Sequence, residues 1–194
     1  MLRFHGLLAL IGALLLLPMG VAVARDPAPP TEYLDEETGA TVTVVDKPLV
    51  FARERSERAA NLRDYVNLTA ASVDRGGKIE YVLIAYVWST LDPRFAPVIS
   101  ANSLLLQADD RRFALNANGK LPSDLGIAQA VHAPPGHEST PLVFPTDLPT
   151  LRFIAAARSL AVQAVADEDP IDYELWDDQR RALMRFVEFV NGER

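Results

Sequence analysis

"YVNLTAASVDRGGKIEYVLIAYVWST", residues 65–90, decides the fold. Two runs rich in β-branched and aromatic residues flank Asp74-Arg75-Gly76-Gly77, and the glycines supply the positive φ that a tight hairpin demands. The second run, Tyr81 to Trp88, is apolar at every position. A strand of that kind must be covered on both faces, which puts it in the middle of its sheet.

The same design recurs downstream. "SLLLQADDRRFALNA", residues 103–117, turns at Ala108-Asp109-Asp110-Arg111. Between the two hairpins, "LDPRFAPVISAN" (91–102) carries two prolines, which lack the N–H that a central strand must donate. Upstream, "ATVTVV" (40–45) alternates Thr with Val, the period of a half-buried strand, and "PLVFA" (48–52) follows it. "RERSERAANLRD" (53–64) mixes both signs of charge, with Arg53, Arg55, Arg58 and Arg63, and reads as a solvated loop or one exposed helical turn. Residues 119–145 are irregular, with short apolar pieces set between turn residues.

Two helices and one more hairpin complete the chain. "TDLPTLRFIAAAR" predicts a short helix near 147–157, capped by Thr146 or Asp147, with Pro149 tolerated in its first turn. "SLAVQAVA" and "IDYELW" alternate cleanly. Leu160, Val162 and Ala164 share one face, as do Ile171, Tyr173 and Leu175, with Asp167 to Pro170 as the joining loop. "DDQRRALMRFVEFVNG" predicts an amphipathic C-terminal helix near 178–191, with Asp177 as N-cap and Asn191-Gly192 as the stop. Leu183, Phe186, Val187 and Val190 form its apolar stripe, while Arg181, Arg185 and Glu188 face away. The expected class is therefore α+β, mainly β: antiparallel hairpins forming a sheet or sandwich, with one apolar face covered by the C-terminal helix.

The first residues speak to compartment. Arg3 precedes the apolar run "LLALIGALLLLPMG", and Ala22-Val23-Ala24 supplies the small-x-small pattern that signal peptidase accepts. The run is shorter than the roughly 20 residues a spanning helix needs. Residues 1–24 are thus expected to be a signal peptide, 25–39 an extended and poorly ordered acidic segment, and 40–194 one globular domain. A periplasmic or secreted protein with no membrane span after leader cleavage is the expectation. The chain has no cysteine, so in an oxidising compartment the fold must rest on its own core without disulfides. It holds 19 Lys and Arg against 26 Asp and Glu, a formal net charge of −7, which argues against a nucleic-acid partner.

Chemical cues are sparse. "AQAVHAPPGHESTPLVF" (128–144) places His132 and His137 around a Pro-Pro-Gly turn, followed by Glu138 and Ser139. His132, His137 and Glu138 are the candidate metal ligands. Zinc would need a further ligand brought in by folding, because a catalytic site uses three protein ligands and a structural one four. Ser139 lies in no Gly-x-Ser-x-Gly elbow. Asp167, Asp169 and Asp172 are oxygen donors close in sequence, but the glycine and glutamate of a calcium loop are out of place. Tyr81, Tyr86 and Trp88 would stack on a sugar ring if exposed, although their setting in an apolar strand favours core packing. No phosphate-binding glycine loop is present.

These features point to a non-catalytic binding or interaction domain without a cofactor, its partner an envelope protein or a small ligand. The alternative is a metal-assisted hydrolase built on the His132/His137 loop. N-terminal sequencing of the exported protein should begin at Arg25; an intact Met1 in a membrane fraction would identify the apolar run as an anchor instead.

Overall fold

A computed structural model describes residues 26–55, 62–90, 103–129, 131–134, 139–165 and 170–192. The stretch expected to be a leader, residues 91–102 with their two prolines, and residues 166–169 lie outside these residues. No helix among the described residues is long and apolar enough to cross a membrane.

The 65–90 hairpin is present and longer than its hydrophobic runs. β4 (Arg63–Arg75) and β5 (Lys78–Ser89) pair antiparallel from Asp64↔Ser89 to Arg75↔Lys78. Gly76 and Gly77 hold φ of 62° and 89°, the two left-handed positions of a two-residue hairpin turn. Asp74 Oδ1 accepts the Gly77 N–H at 2.7 Å and closes the turn.

β4 is long enough to serve two partners along its other edge. Arg63–Leu68 pairs with β3 (Leu49–Glu54), and Ala71–Asp74 pairs with β2 (Ala40–Val44). The chain turns the corner between these two strands where Val45 N donates to Ala70 O at 3.1 Å. β1 (Thr31–Asp35) flanks β2, and β8 (Leu142–Thr146) flanks β5. From β3 the sheet continues through β10 (Pro170–Asp177), β9 (Leu160–Val165), β6 (Ser103–Ala108) and β7 (Arg111–Asn116). The result is one ten-stranded antiparallel sheet. It curls on itself, because Asn118 N, just past β7, donates to Val143 O of β8 at 3.2 Å.

Strand parity sorts the side chains into two cores. Phe51, Val66, Leu68, Leu83, Phe144, Leu104, Leu106, Val162, Ala164 and Tyr173 face the inside of the curl. Val42, Val44, Ala71, Val73, Val82, Ile84, Tyr86 and Val143 face outward and are covered by Leu125, which ends a 3-10 turn at Pro122–Leu125, and by Ile127 just after it. β5 contributes to both cores, as expected of a continuous apolar strand. The inner core is closed at one end by α1 (Leu148–Ala156) and α2 (Arg180–Val190) through Leu151, Ile154, Leu183, Phe186 and Val187. Each such side chain removed from water contributes about 1.5–3 kcal/mol.

The links between elements are polar and local. Asp147 caps α1 by accepting the Thr150 N–H at 2.7 Å, and hydrogen bonds from the Thr150 side chain first and its backbone N–H second hold the Asp147 carboxyl below the usual carboxylate range. Asp109 turns the β6–β7 hairpin with a φ of 50°, a conformation aspartate tolerates better than most residues. Its Oδ1 accepts the N–H groups of Arg158 and Ser159, each at 2.9 Å, which ties the hairpin to the start of β9.

Four elements differ from the sequence reading. The acidic entry, expected to lack regular structure, contributes β1, because a backbone ladder along β2 orders it where apolar content could not. Asp35 then folds the chain back by accepting from Thr38 N and Oγ1, both at 2.8 Å. The irregular region yields β8, whose Pro145 is tolerated because β8 is an edge strand paired only with β5. Arg53 and Arg63, assigned to a loop or helical turn, are strand residues. Finally, Asp177 does not cap α2. It ends β10 opposite Val50 after a bulge, so the helix starts later, with Gln179 at its cap position and Asp178 bonded to Arg180.

The apolar stripe of α2 is buried as its periodicity implies, with Phe186 at 0% exposure. Phe186→Ala should cost about 3 kcal/mol or more in a denaturant titration. Arg185→Ala, on the exposed side, should stay within about 0.5 kcal/mol. Equal losses would mean that the stripe does not carry the packing.

Candidate functional site

The sequence put its metal candidates in the loop before β8. His132 is half-buried and sits at a φ of 53°. Its Nε2 lies 2.8 Å from the carbonyl oxygen of Val45, at the corner between β2 and β3. A carbonyl only accepts, so Nε2 must carry the proton and offers no lone pair to a metal while this contact holds. His137 and Glu138 lie outside the described residues. Among the described residues no group of three or more His, Cys, Asp or Glu is placed to hold a metal ion. Ser139 donates its hydroxyl to Val87 O at 2.8 Å, a tether between this loop and β5. Asp172 accepts from Gln163 Nε2 at 2.7 Å, a cross-strand pair between β9 and β10, while Asp167 and Asp169 lie outside the described residues.

The three aromatic residues of β5 are separated by parity. Tyr81 packs against the inner core, and Tyr86 is buried in the outer one. Burial raises the pKa of the Tyr86 hydroxyl, an effect partly offset by the Val131 backbone. Trp88 shares the outward parity of Tyr86 but lies near the end of the strand, where it is only half-buried. Its ring stacks on Tyr65 of β4, directly across the ladder, with centroids 4.3 Å apart and planes 15° from parallel. Its Nε1 donates to Asn67 Oδ1 at 3.1 Å.

This pair belongs to a longer strip. Two residues before Tyr65 on the same face of β4, Arg63 holds its guanidinium carbon 4.4 Å from the ring centroid of Trp176 on β10. Arg63 Nη2 also pairs with Glu54 Oε1 of β3 at 2.6 Å. That hydrogen bond is the largest influence raising the Arg63 pKa, with smaller contributions from Tyr65. Between β10 and β4 the outward residue of β3 is Ala52, whose small side chain leaves the aromatic groups uncovered. The strip therefore runs from Trp176 on β10, over β3, to Arg63 and Tyr65 on β4 and Trp88 on β5. Trp176 is 57% exposed, a large apolar ring presented to solvent and held by a cation at its face.

Such a surface can stack on a planar or ring-shaped partner and offer charge at its centre. It contains no nucleophile set beside a base. Trp88 was visible in the sequence as part of an aromatic run, whereas Trp176 and Arg63 were missed. The available signal was phase: Ile171, Tyr173 and Leu175 keep one parity in "IDYELW", and Trp176 breaks it. Comparison with protein-family models, with curated proteins and with solved structures returns no match for this chain.

His132 is held by one side-chain hydrogen bond in a left-handed backbone conformation. His132→Ala should therefore lower stability by about 1 kcal/mol, the usual net worth of such a bond. Zinc addition should leave the unfolding midpoint of wild type unchanged, since a ligand bound only to the native state must raise it. A zinc-dependent rise that disappears in His132→Ala would instead support metal binding by this loop.

Proposed function

We propose that this chain is a non-catalytic binding domain of the cell envelope, exported by its leader, and that the Trp176–Arg63–Tyr65–Trp88 strip is its contact surface. The observation that carries this reading is the exposure of Trp176 beside a paired arginine. Soluble proteins bury tryptophan on average, and tryptophan, tyrosine and arginine are the residues that dominate binding surfaces. Stacking with a cation at one face suits a sugar ring or the aromatic side chain of an envelope protein.

The test uses purified peptidoglycan sacculi and detergent-solubilised envelope protein as two separate probes. Wild-type protein should bind one of them, and Trp176→Ala should weaken that binding about tenfold, the equivalent of about 1.4 kcal/mol. The chain has two tryptophans, so Trp88→Phe leaves Trp176 as the sole tryptophan, excited selectively at the red edge of the absorption band. Its fluorescence should shift to the blue as the ring leaves water. Binding to neither probe, or equal binding by Trp176→Ala, would refute the proposal.

A further inference from the structure

The inside of the curled sheet carries one polar row, at the end opposite the two helices. In the ladders, Arg53 of β3 lies across from Asp64 of β4, and Asp64 lies across from Ser89 of β5. On the other side of β3, the pair Glu174↔Ala52 sets Tyr173 of β10 beside Arg53. Arg53 shares the parity of Leu49 and Phe51, and Asp64 that of Val66 and Leu68, so the row faces the inner core. It thus reads Tyr173, Arg53, Asp64, Ser89 across four neighbouring strands.

The two charges of this row are not paired with each other. Asp64 is 1% exposed and both of its oxygens are occupied. Oδ2 accepts Arg55 Nη1 at 2.8 Å, and Oδ1 accepts the Ser89 hydroxyl at 2.5 Å. Arg55 is thus the ion-pair partner of Asp64, and Arg53 is a second, half-buried cation with no ion pair among the described residues. Tyr173 is 1% exposed, yet its hydroxyl has no hydrogen-bond partner among the described residues. Burial first, and the Asp64 charge second, push its pKa upward, so the hydroxyl keeps its proton and remains a donor. Buried donors in native proteins find an acceptor, in protein, water or ligand.

We infer that this row is a binding site for a small carboxylate, whose two oxygens accept from the Arg53 guanidinium and the Tyr173 hydroxyl. A guanidinium with no ion pair among the described residues, beside one neutral donor, matches a planar mono-anion, the group that a guanidinium fork fits best. A phosphate dianion would bring surplus negative charge beside Asp64 in a site of low dielectric. Arg55 and Ser89 act as positioning residues that hold Asp64 in place and keep it from turning the incoming anion away. The site faces the interior and shares no residue with the outward strip of Trp176, so either can fail without the other.

The exported protein should be unfolded thermally in increasing sodium acetate, with sodium chloride at equal ionic strength as reference. Acetate should raise the midpoint along a saturating curve that chloride does not reproduce. Arg53→Gln should abolish the rise. Tyr173→Phe, which keeps the buried ring and removes only the lone donor, should fold at least as stably without acetate and respond at least several-fold more weakly. Where Arg53→Gln does not fold, Tyr173→Phe decides alone. Identical curves in acetate and chloride, an undiminished response in Tyr173→Phe, or a larger rise with sodium phosphate than with acetate would each overturn the inference.

Discussion

The β4–β5 ladder is the constraint on which the other elements depend. It is paired from Asp64↔Ser89 down to a turn that glycine alone adopts without strain at both central positions. Its length lets β4 hold β3 and β2 in succession on one edge while β5 holds β8 on the other. A shorter β4 would leave one of those strands without a ladder. Because the side chains of a strand alternate strictly, this single hairpin also assigns residues to the inner and outer cores. A slip of one residue would send Leu83 and Ala85 outward and bring Ile84 and Tyr86 in.

Curling solves the edge problem that so wide a sheet creates. Ten strands laid flat would leave β1, β7 and β8 as edge strands, each a template for association with another chain. Here the chain beyond β7 returns to bond with β8, at the far end of the sheet. The helices α1 and α2 close one end of the interior, and their contact residues are aliphatic or aromatic. The polar row of Tyr173, Arg53, Asp64 and Ser89 lies at the other end. Apolar packing and polar chemistry are thus separated along the strand direction, which allows a buried carboxylate to persist without weakening the helix-capped core.

The outer surface follows the same logic in the other direction. Arg63, Tyr65 and Trp88 occupy positions whose neighbours toward the β4–β5 turn, Thr69, Val82 and Ile84, are fully covered. Cover comes from the segment carrying Leu125 and Ile127, tethered where His132 meets Val45 and Ser139 meets Val87. Toward the other end of the strands the aromatic rings are half-buried or exposed. His132, a candidate ligand in the sequence, makes one of the contacts that hold this covering segment against the sheet.

Local rules read from the sequence determined the elements with strong periodicity or distinctive turn chemistry. The 65–90 and 103–117 hairpins, the β9 and β10 alternation, the Asp147 cap and the α2 stripe all belong to this group, because each depends on residues within one turn or one strand. Elements that depend on a distant partner were not legible. β1 is ordered by pairing with β2, β8 by pairing with β5, and the delayed start of α2 by β10 continuing to Asp177 opposite Val50. The candidate surfaces fall in the same class. Trp176 lies 113 positions from Arg63, and Tyr173 lies 120 from Arg53, and no local pattern links residues at such separations. For the strongly periodic segments, the sequence alone determined which residues could form strands and which face each would show, since alternation is a property of the backbone. Only the tertiary structure decided which faces met, because strand order is set by the summed fit of long-range ladders and cores.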